Sequence, residues 1–349
     1  VCAWSSLFLF VAAVTFAGAP MATPLAPQPL KNWTFLVFLN ADNSLDSAGL
    51  DDMNEMEKVG STADVNIVAL FDRLYGWQTT RRYYVQKDAK PTEITSPYEE
   101  MGELDMGNKQ TVLDYVRWAK ANYPARHYLM VFWNHGSGWD KQAKNQMTGL
   151  SVVTYGISYD DTSATHLSVM DVGEIMRSLK AEEPAGRNFD VLDFDACLMA
   201  MGEVYAEFQN TVDYAVGSEE TEPGDGLPYD DILAKLVAKP AMSALDLTRI
   251  MVKDYAASYN NGSQGSGSVT QSAIDLAALP KFTAKLDKVA GWLTDHLMAN
   301  YNAIRQAQDQ AKFYAVPENK DLGHVLKLLK TGIPDAEFNA LADQALAAY

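Results

Sequence analysis

The chain has 349 residues, 48% of them hydrophobic and 21% charged, the make-up of a globular protein with a sizeable core and room for one large α/β domain or two ordinary ones. Lysine plus arginine number 28 against 45 acidic residues, a formal charge of −17. That balance excludes nucleic acid and anionic membrane as partners of the chain as a whole and favours a basic ligand, although acidity also serves solubility alone.

Residues 1–30 read as a secretory signal peptide and a Pro-rich spacer. The apolar run "LFLFVAAVTFAGA" ends in the small residues Ala17-Gly18-Ala19, and "PMATPLAPQPL" follows. The protein is therefore expected to be secreted or held in the cell envelope, with no stable membrane insertion once the signal is removed. Against this, no Lys or Arg precedes Lys31, and Pro20 would follow the cut. The chain also begins without Met, so its true start is expected to be missing. There are two cysteines, Cys2 and Cys197. If Cys2 leaves with the signal, Cys197 is a free thiol that no disulfide within the mature chain can occupy. Such a thiol is either reactive or a small buried hydrophobe.

From there strands and helices alternate. "WTFLVFLN" (33–40) has the length and apolarity of a buried strand, and "SLDSAGLDDMNEMEKVG" reads as a helix. "VNIVALFD" (65–72) is a second strand and "TTRRYYVQ" a shorter, more exposed one. "NKQTVLDYVRWAKANYP" places Val112, Tyr115, Val116 and Ala119 at helical spacing. "HYLMVFWN" is a strand, "LSVMDVGEIMRSLKA" a helix, "FDVLDFDA" a strand, "LMAMGEVYAEFQN" a helix and "VDYAVGSEE" a strand. "SALDLTRIMVKDYAASYNN" opens on a capping box, Ser243 with Asp246. The loop "NNGSQGSGS" precedes the strand-like "VTQSAIDL". From Pro280 the chain is largely helical and stops at "LADQALAAY" without a cap signal, so its C-terminus is expected to be incomplete. Apolar strands separated by helices mean a mainly parallel sheet covered on both faces.

Ligands of such sheets bind at the carboxyl ends of the strands. His135 follows "YLMVFWN", and Cys197 follows "VLDFDA". On the same rim, an imidazole can serve as acid–base partner to a thiol whose unperturbed pKa is about 8.5. Gly136 has no side chain, so a substrate carbonyl can approach its N–H, which with the Cys197 N–H would form an oxyanion hole. By pattern alone, a strand-end His followed by Gly is equally well a turn. Ser137 is read as structural. His127, His166, His296 and His324 show no metal spacing, and neither His-x-x-x-His nor Cys-x-x-Cys occurs, so zinc is unsupported.

The blocks "FLNADNSLD" (38–46), "GELDMGNKQTVLDYVRWAKANYPA" (102–125), "HYLMVFWNHGSGW" (127–139), "FDVLDFDACLMAMGEVYAE" (189–207) and "YAVGSEETEPGDGLPY" (214–229) resemble the clostripain family of cysteine peptidases, within the caspase-like fold group. The resemblance covers roughly residues 33–280, and the paired "NHGSGW" and "DFDACLMA" blocks carry it. It implies a caspase-like α/β/α sandwich with a mainly parallel central sheet over 31–280. Residues 281–349 would then be a helical extension packed on the same domain. It places the general base on His135 and the nucleophile on Cys197. The family cuts after basic residues, and its acidic pocket residues fall on Asp195 and Asp225. A buried Lys or Arg end needs a carboxylate partner. Asp195 could instead be a strand-end carboxylate satisfied by backbone N–H groups, and Asp225 a turn residue between Gly224 and Gly226. Glu219, Glu220 and Glu222 add negative field near the cleft or form a solvated rim.

The expected function is a cysteine endopeptidase cutting polypeptides after Arg or Lys. Self-processing would fall after Lys141 or Lys144, in the polar stretch between the His and Cys blocks. The alternatives are a non-catalytic caspase-like binding domain, or a peptide ligase using the same two residues. No organic cofactor is needed for the chemistry. The resemblance leaves Ca2+ open, with "DNSLD" (42–46) and "SYDD" (158–161) as clustered oxygens, although acidic starts of this kind are also good helix N-termini. Natural substrate and oligomeric state are not legible.

Overall fold

Strands that are mostly apolar and buried along most of their length form the middle of the molecule, as parallel strands covered on both faces require. The computed structural model describes residues 30–90, 92–139 and 156–349; the stretch expected to be a signal peptide, Lys141 and Lys144 lie outside them. In chain order the first half runs β1 (Lys31–Ala41), α1 (Asp46–Val59), β2 (Val65–Arg73), β3 (Thr80–Tyr84), β4 (Tyr98–Gly102), α2 (Lys109–Asn122) and β5 (Ala125–Trp133). A hairpin of β6 (Ile157–Asp160) and β7 (Thr165–Leu167) leads into α3 (Val169–Glu182), β8 (Phe189–Asp195), α4 (Gly202–Ala206) and β9 (Val212–Gly217). Next come α5 (Tyr229–Ala238), α6 (Ala244–Ser258), the short pair β10 (Asn260–Gly262) and β11 (Gly265–Ser266), and β12 (Ser272–Asp275). The last part is α7 (Leu279–Asp295), α8 (Leu297–Gln310), the pair β13 (Phe313–Tyr314) and β14 (Val316–Lys320), α9 (Leu322–Gly332) and α10 (Ala336–Ala348).

Eight strands make one sheet in the order β12-β9-β8-β5-β1-β2-β3-β4. The five inner strands from β9 to β2 are parallel, and β12, β3 and β4 join antiparallel at the edges. Alternation along each strand divides the side chains between two cores. Leu36, Phe38, Met130, Phe132, Leu192 and Phe194 pack toward α2 and α3. Phe35, Val37, Leu39, Leu129, Val131 and Val191 pack toward α1, α5 and α6. A third cluster, around Trp292, Leu326, Leu329, Ile333 and Phe338, holds α7, α9 and α10 together. No helix among the described residues is long and apolar enough to cross a membrane.

The departures from the expected elements are local. α4 has five residues where a longer helix was expected. The chain first turns back on itself, with Leu198 at φ +64° and the Leu198 and Ala200 N–H groups bonded to the carbonyls of Glu220 and Ser218. At α6 half of the expected box forms, Ser243 Oγ accepting from the Asp246 N–H at 3.1 Å. The complete box sits at α3, where Ser168 and Asp171 cap each other.

Candidate active site

β5 and β8 are neighbouring parallel strands in which Trp133 stands opposite Asp195. The same offset separates His135 from Cys197, so the register carries both to one rim of the sheet, each two residues past its strand. The β1 end beside them is clamped by two asparagines. Asn134 Nδ2 donates to the Asn40 carbonyl at 2.6 Å, and Asn134 Oδ1 accepts from the Tyr159 N–H at 2.7 Å. Asn40 Nδ2 donates to Ser158 Oγ and the Tyr159 carbonyl, both at 3.0 Å. These bonds dock the β6–β7 hairpin against the ends of β1 and β5.

His135 is 7% exposed, and its Nε2 lies 2.9 Å from Ser44 Oγ in the loop between β1 and α1. Burial holds its pKa below the ordinary imidazole value, so the ring is neutral at neutral pH. Cys197 is half-buried, and its Sγ accepts from the Glu222 N–H at 3.2 Å. Burial raises the thiol's pKa, with the charges of Asp195 and Glu220 adding to the effect against the hydrogen bond from Glu222. The resting pair is therefore thiol and neutral imidazole. Among the described residues the two are not hydrogen-bonded to one another.

Both line one cleft, together with Leu45, Trp133, Asp195, Glu222 and Gly224. Gly136 has a packing reason to be glycine that its spacing did not reveal: a Cβ there would stand 2.3 Å from the Cys197 carbonyl oxygen. Gly136 also bridges to Ile157, and in that pairing the Ser137 N–H donates to the Gly156 carbonyl at 3.1 Å.

Asp195 lies in the wall of this cleft, 5% exposed. Its Oδ2 accepts from Tyr229 Oη at 2.8 Å and from the Leu227 N–H at 3.3 Å. Burial outweighs these bonds and pushes its pKa up to about 6. Gly226, at φ +52°, lets the backbone close over the carboxylate, since a Cβ there would be 2.9 Å from both oxygens. Asp225 is placed elsewhere. It is exposed and lines an adjoining cavity with Asp51, Asp52, Glu55 and Gln264, and Gly224 is common to the two hollows. The two acidic residues singled out in sequence thus flank one turn rather than one cavity.

Sequence reasoning had named Glu222 as near the cleft or on a solvated rim, and it missed Ser44. Glu222 has both carboxylate oxygens buried beside Asp195, and burial, Asp195 and Cys197 all raise its pKa. Its position in an acidic loop after a strand was the available signal. Ser44 carried none, since only the fold brings it to His135. Of the oxygen-rich stretches, Asp46 is spent on Arg73, a 2.5 Å ion pair, whereas Asp42 and Asp160 come together with Glu103.

The family model described as the clostripain family matches residues 37–325. The chain belongs to the clostripain family. Clostripain from Hathewaya histolytica is 26% identical over 59% of this chain and 42% of its own length, so the chain spans about two fifths of that relative. A secreted C11 cysteine protease from Bacteroides thetaiotaomicron, solved with an irreversible peptide inhibitor, superposes with a TM-score of 0.63 at 22% identity, covering 90% of this chain and 82% of the other. An inactive zymogen C11 protease from Parabacteroides distasonis gives 0.59 at 17%, covering 91% and 82%. At these identities the two structures speak to the fold, and the mainly parallel α/β/α sandwich of this clostripain-family chain is theirs.

Proposed function

We propose that this chain is a secreted or envelope-held cysteine endopeptidase that cuts polypeptides after Arg or Lys. The observation that carries it is the single cleft lined by His135, Cys197 and the buried Asp195. Cys197 Sγ attacks the scissile carbonyl and passes its proton to His135, which then protonates the leaving amine. The acyl-enzyme is released by a water that His135 deprotonates. The N–H groups of Gly136 and Cys197 hold the oxyanion. A neutral thiol beside a neutral imidazole suits this order, because the proton moves only when substrate is in place.

Asp195 pairs with the substrate's cationic end, with Glu222 beside it and Asp225 in the adjoining hollow. Membership of the clostripain family and the acidity of the cleft support basic specificity. Self-cleavage after Lys141 or Lys144 belongs to the same reading and is detected as a new N-terminus at Gln142 or Asn145. Fluorogenic peptides that differ only before the bond, with Arg, Lys, Asn, Asp or Leu there, test the whole. Arg and Lys should turn over fastest, and a thiol alkylator should stop them. Fastest turnover of Asp or Asn peptides overturns the specificity. Binding without turnover would mark a non-catalytic module, and transfer to an added amine would mark a ligase.

A further inference from the structure

Glu222 touches both halves of the cleft. Its backbone N–H donates to Cys197 Sγ at 3.2 Å, and its carboxyl is hydrogen-bonded to that of Asp195. Two carboxylates in contact cannot both be ionised, so the pair holds a proton. The other partners of each decide where it sits. Asp195 Oδ2 already accepts from Tyr229 Oη and the Leu227 N–H, which favour its charged form. No N–H or hydroxyl among the described residues donates to either oxygen of Glu222, and both oxygens are buried. An ionised carboxylate only accepts, whereas the protonated acid can donate to Asp195. The titratable groups that interact with Glu222 are Asp193 and Asp195 on β8, Cys197, Tyr205 on α4, and Tyr255 and Tyr259 at the end of α6. None is a cation, so nothing there would offset a second negative charge. Burial and the acidic neighbours raise the Glu222 carboxyl well above its ordinary value, whereas Asp195 is raised only to about 6.

We infer that Glu222 stays protonated and donates a hydrogen bond to ionised Asp195, so that the cleft presents one negative charge to the one positive charge of a basic side chain. Glu222 is thus a positioning residue, acting on the substrate through Asp195, and the inference rests on the proposed reading that Asp195 meets the substrate's cation. A second ionised carboxylate beside Asp195 would leave a buried charge unmatched once that cation is bound. A neutral donor instead holds Asp195 in place and in its charged form. Because the backbone N–H of the same residue lies on the thiol, one residue sets nucleophile and specificity carboxylate against each other.

Two measurements on the full chain test this. Glu222→Gln keeps a neutral donor of the same length, and Glu222→Met keeps the length without a donor. In the resting protein at neutral pH, the infrared difference between wild type and Glu222→Gln should show the carbonyl stretch of a protonated carboxylic acid, shifted in D2O. Asp193, whose buried oxygens also lack donors, contributes to both spectra and cancels. The ratio of kcat/KM for an Arg peptide to that for a Leu peptide is then followed against pH. Its midpoint at about pH 6 should stay in place in Glu222→Gln. In Glu222→Met it should rise by about one pH unit or more, because losing a hydrogen bond to a charged group disfavours the charged form. An ionised Glu222 would repel Asp195, so removing its charge would lower the midpoint in both variants. Absence of the acid band, a midpoint that falls in Glu222→Gln, or one unmoved in Glu222→Met overturns the inference. Should Glu222→Met fail to fold, the band and Glu222→Gln still decide. A wild-type ratio flat with pH strikes the reading of Asp195 and the inference with it, and the infrared band tells that failure from one at Glu222.

Discussion

At the residue scale the site depends on how a few polar groups are held. Ser44 Oγ is the partner of His135 Nε2, so Ser44→Ala frees the ring to turn. Loss of one such bond is worth about 0.5–1.5 kcal/mol, or roughly 2- to 13-fold. We expect kcat to fall within that range with KM little changed, and alkylation of Cys197 to persist. An unchanged kcat would remove Ser44 from the site. Asp195 makes a pH prediction. Its pKa is raised to about 6, so it is neutral below that pH and charged above it, and only the charged form pairs with a cation. The ratio of kcat/KM for an Arg peptide to that for a Leu peptide should therefore rise through about pH 6, and the ratio cancels the titration of His135 and Cys197. Asp195→Asn should flatten the profile. A ratio independent of pH from 5 to 8 would show that Asp195 does not meet the substrate's charge.

At the scale of elements, the rim works because β5 and β8 run in register and their following turns pack backbone to backbone. Gly136→Ala puts a Cβ 2.3 Å from the Cys197 carbonyl, a contact no side-chain movement can relieve. Overpacking of this kind costs about 1–3 kcal/mol, and here it also shifts the turn that carries Cys197. Urea unfolding and peptide turnover should both fall; an active, equally stable variant would show that the turn adapts. The parallel strands were legible in sequence because strands buried on both faces leave apolar runs, and His135 and Cys197 were legible because they end two of them. α5 went unassigned, although Tyr229, Ile232, Leu233 and Leu236 recur at helical spacing. The short α4 was overread, since hydrogen bonds to the Ser218–Glu220 strand end override local helical preference. The meeting of Ser44 with His135, and of Asp42 with Glu103 and Asp160, depends on contacts between distant segments and leaves no local periodicity.

At the scale of the molecule, the charge of −17 surrounds a cleft whose own wall is acidic. Exposed charges are screened within about 10 Å at 0.1 M salt, and buried ones much less. Turnover of Arg peptides should therefore decline only modestly as salt rises, and that of Leu peptides should not change. A steep decline would assign the attraction to the surface rather than to Asp195. The central claim is that one thiol performs the chemistry, and the direct measurement is hydrolysis of an Arg peptide by Cys197→Ala, with circular dichroism and the melting curve showing that the variant is folded. The account predicts that turnover drops to background, and that an irreversible peptidyl electrophile labels the wild type at Cys197 alone. Normal turnover by folded Cys197→Ala would contradict it.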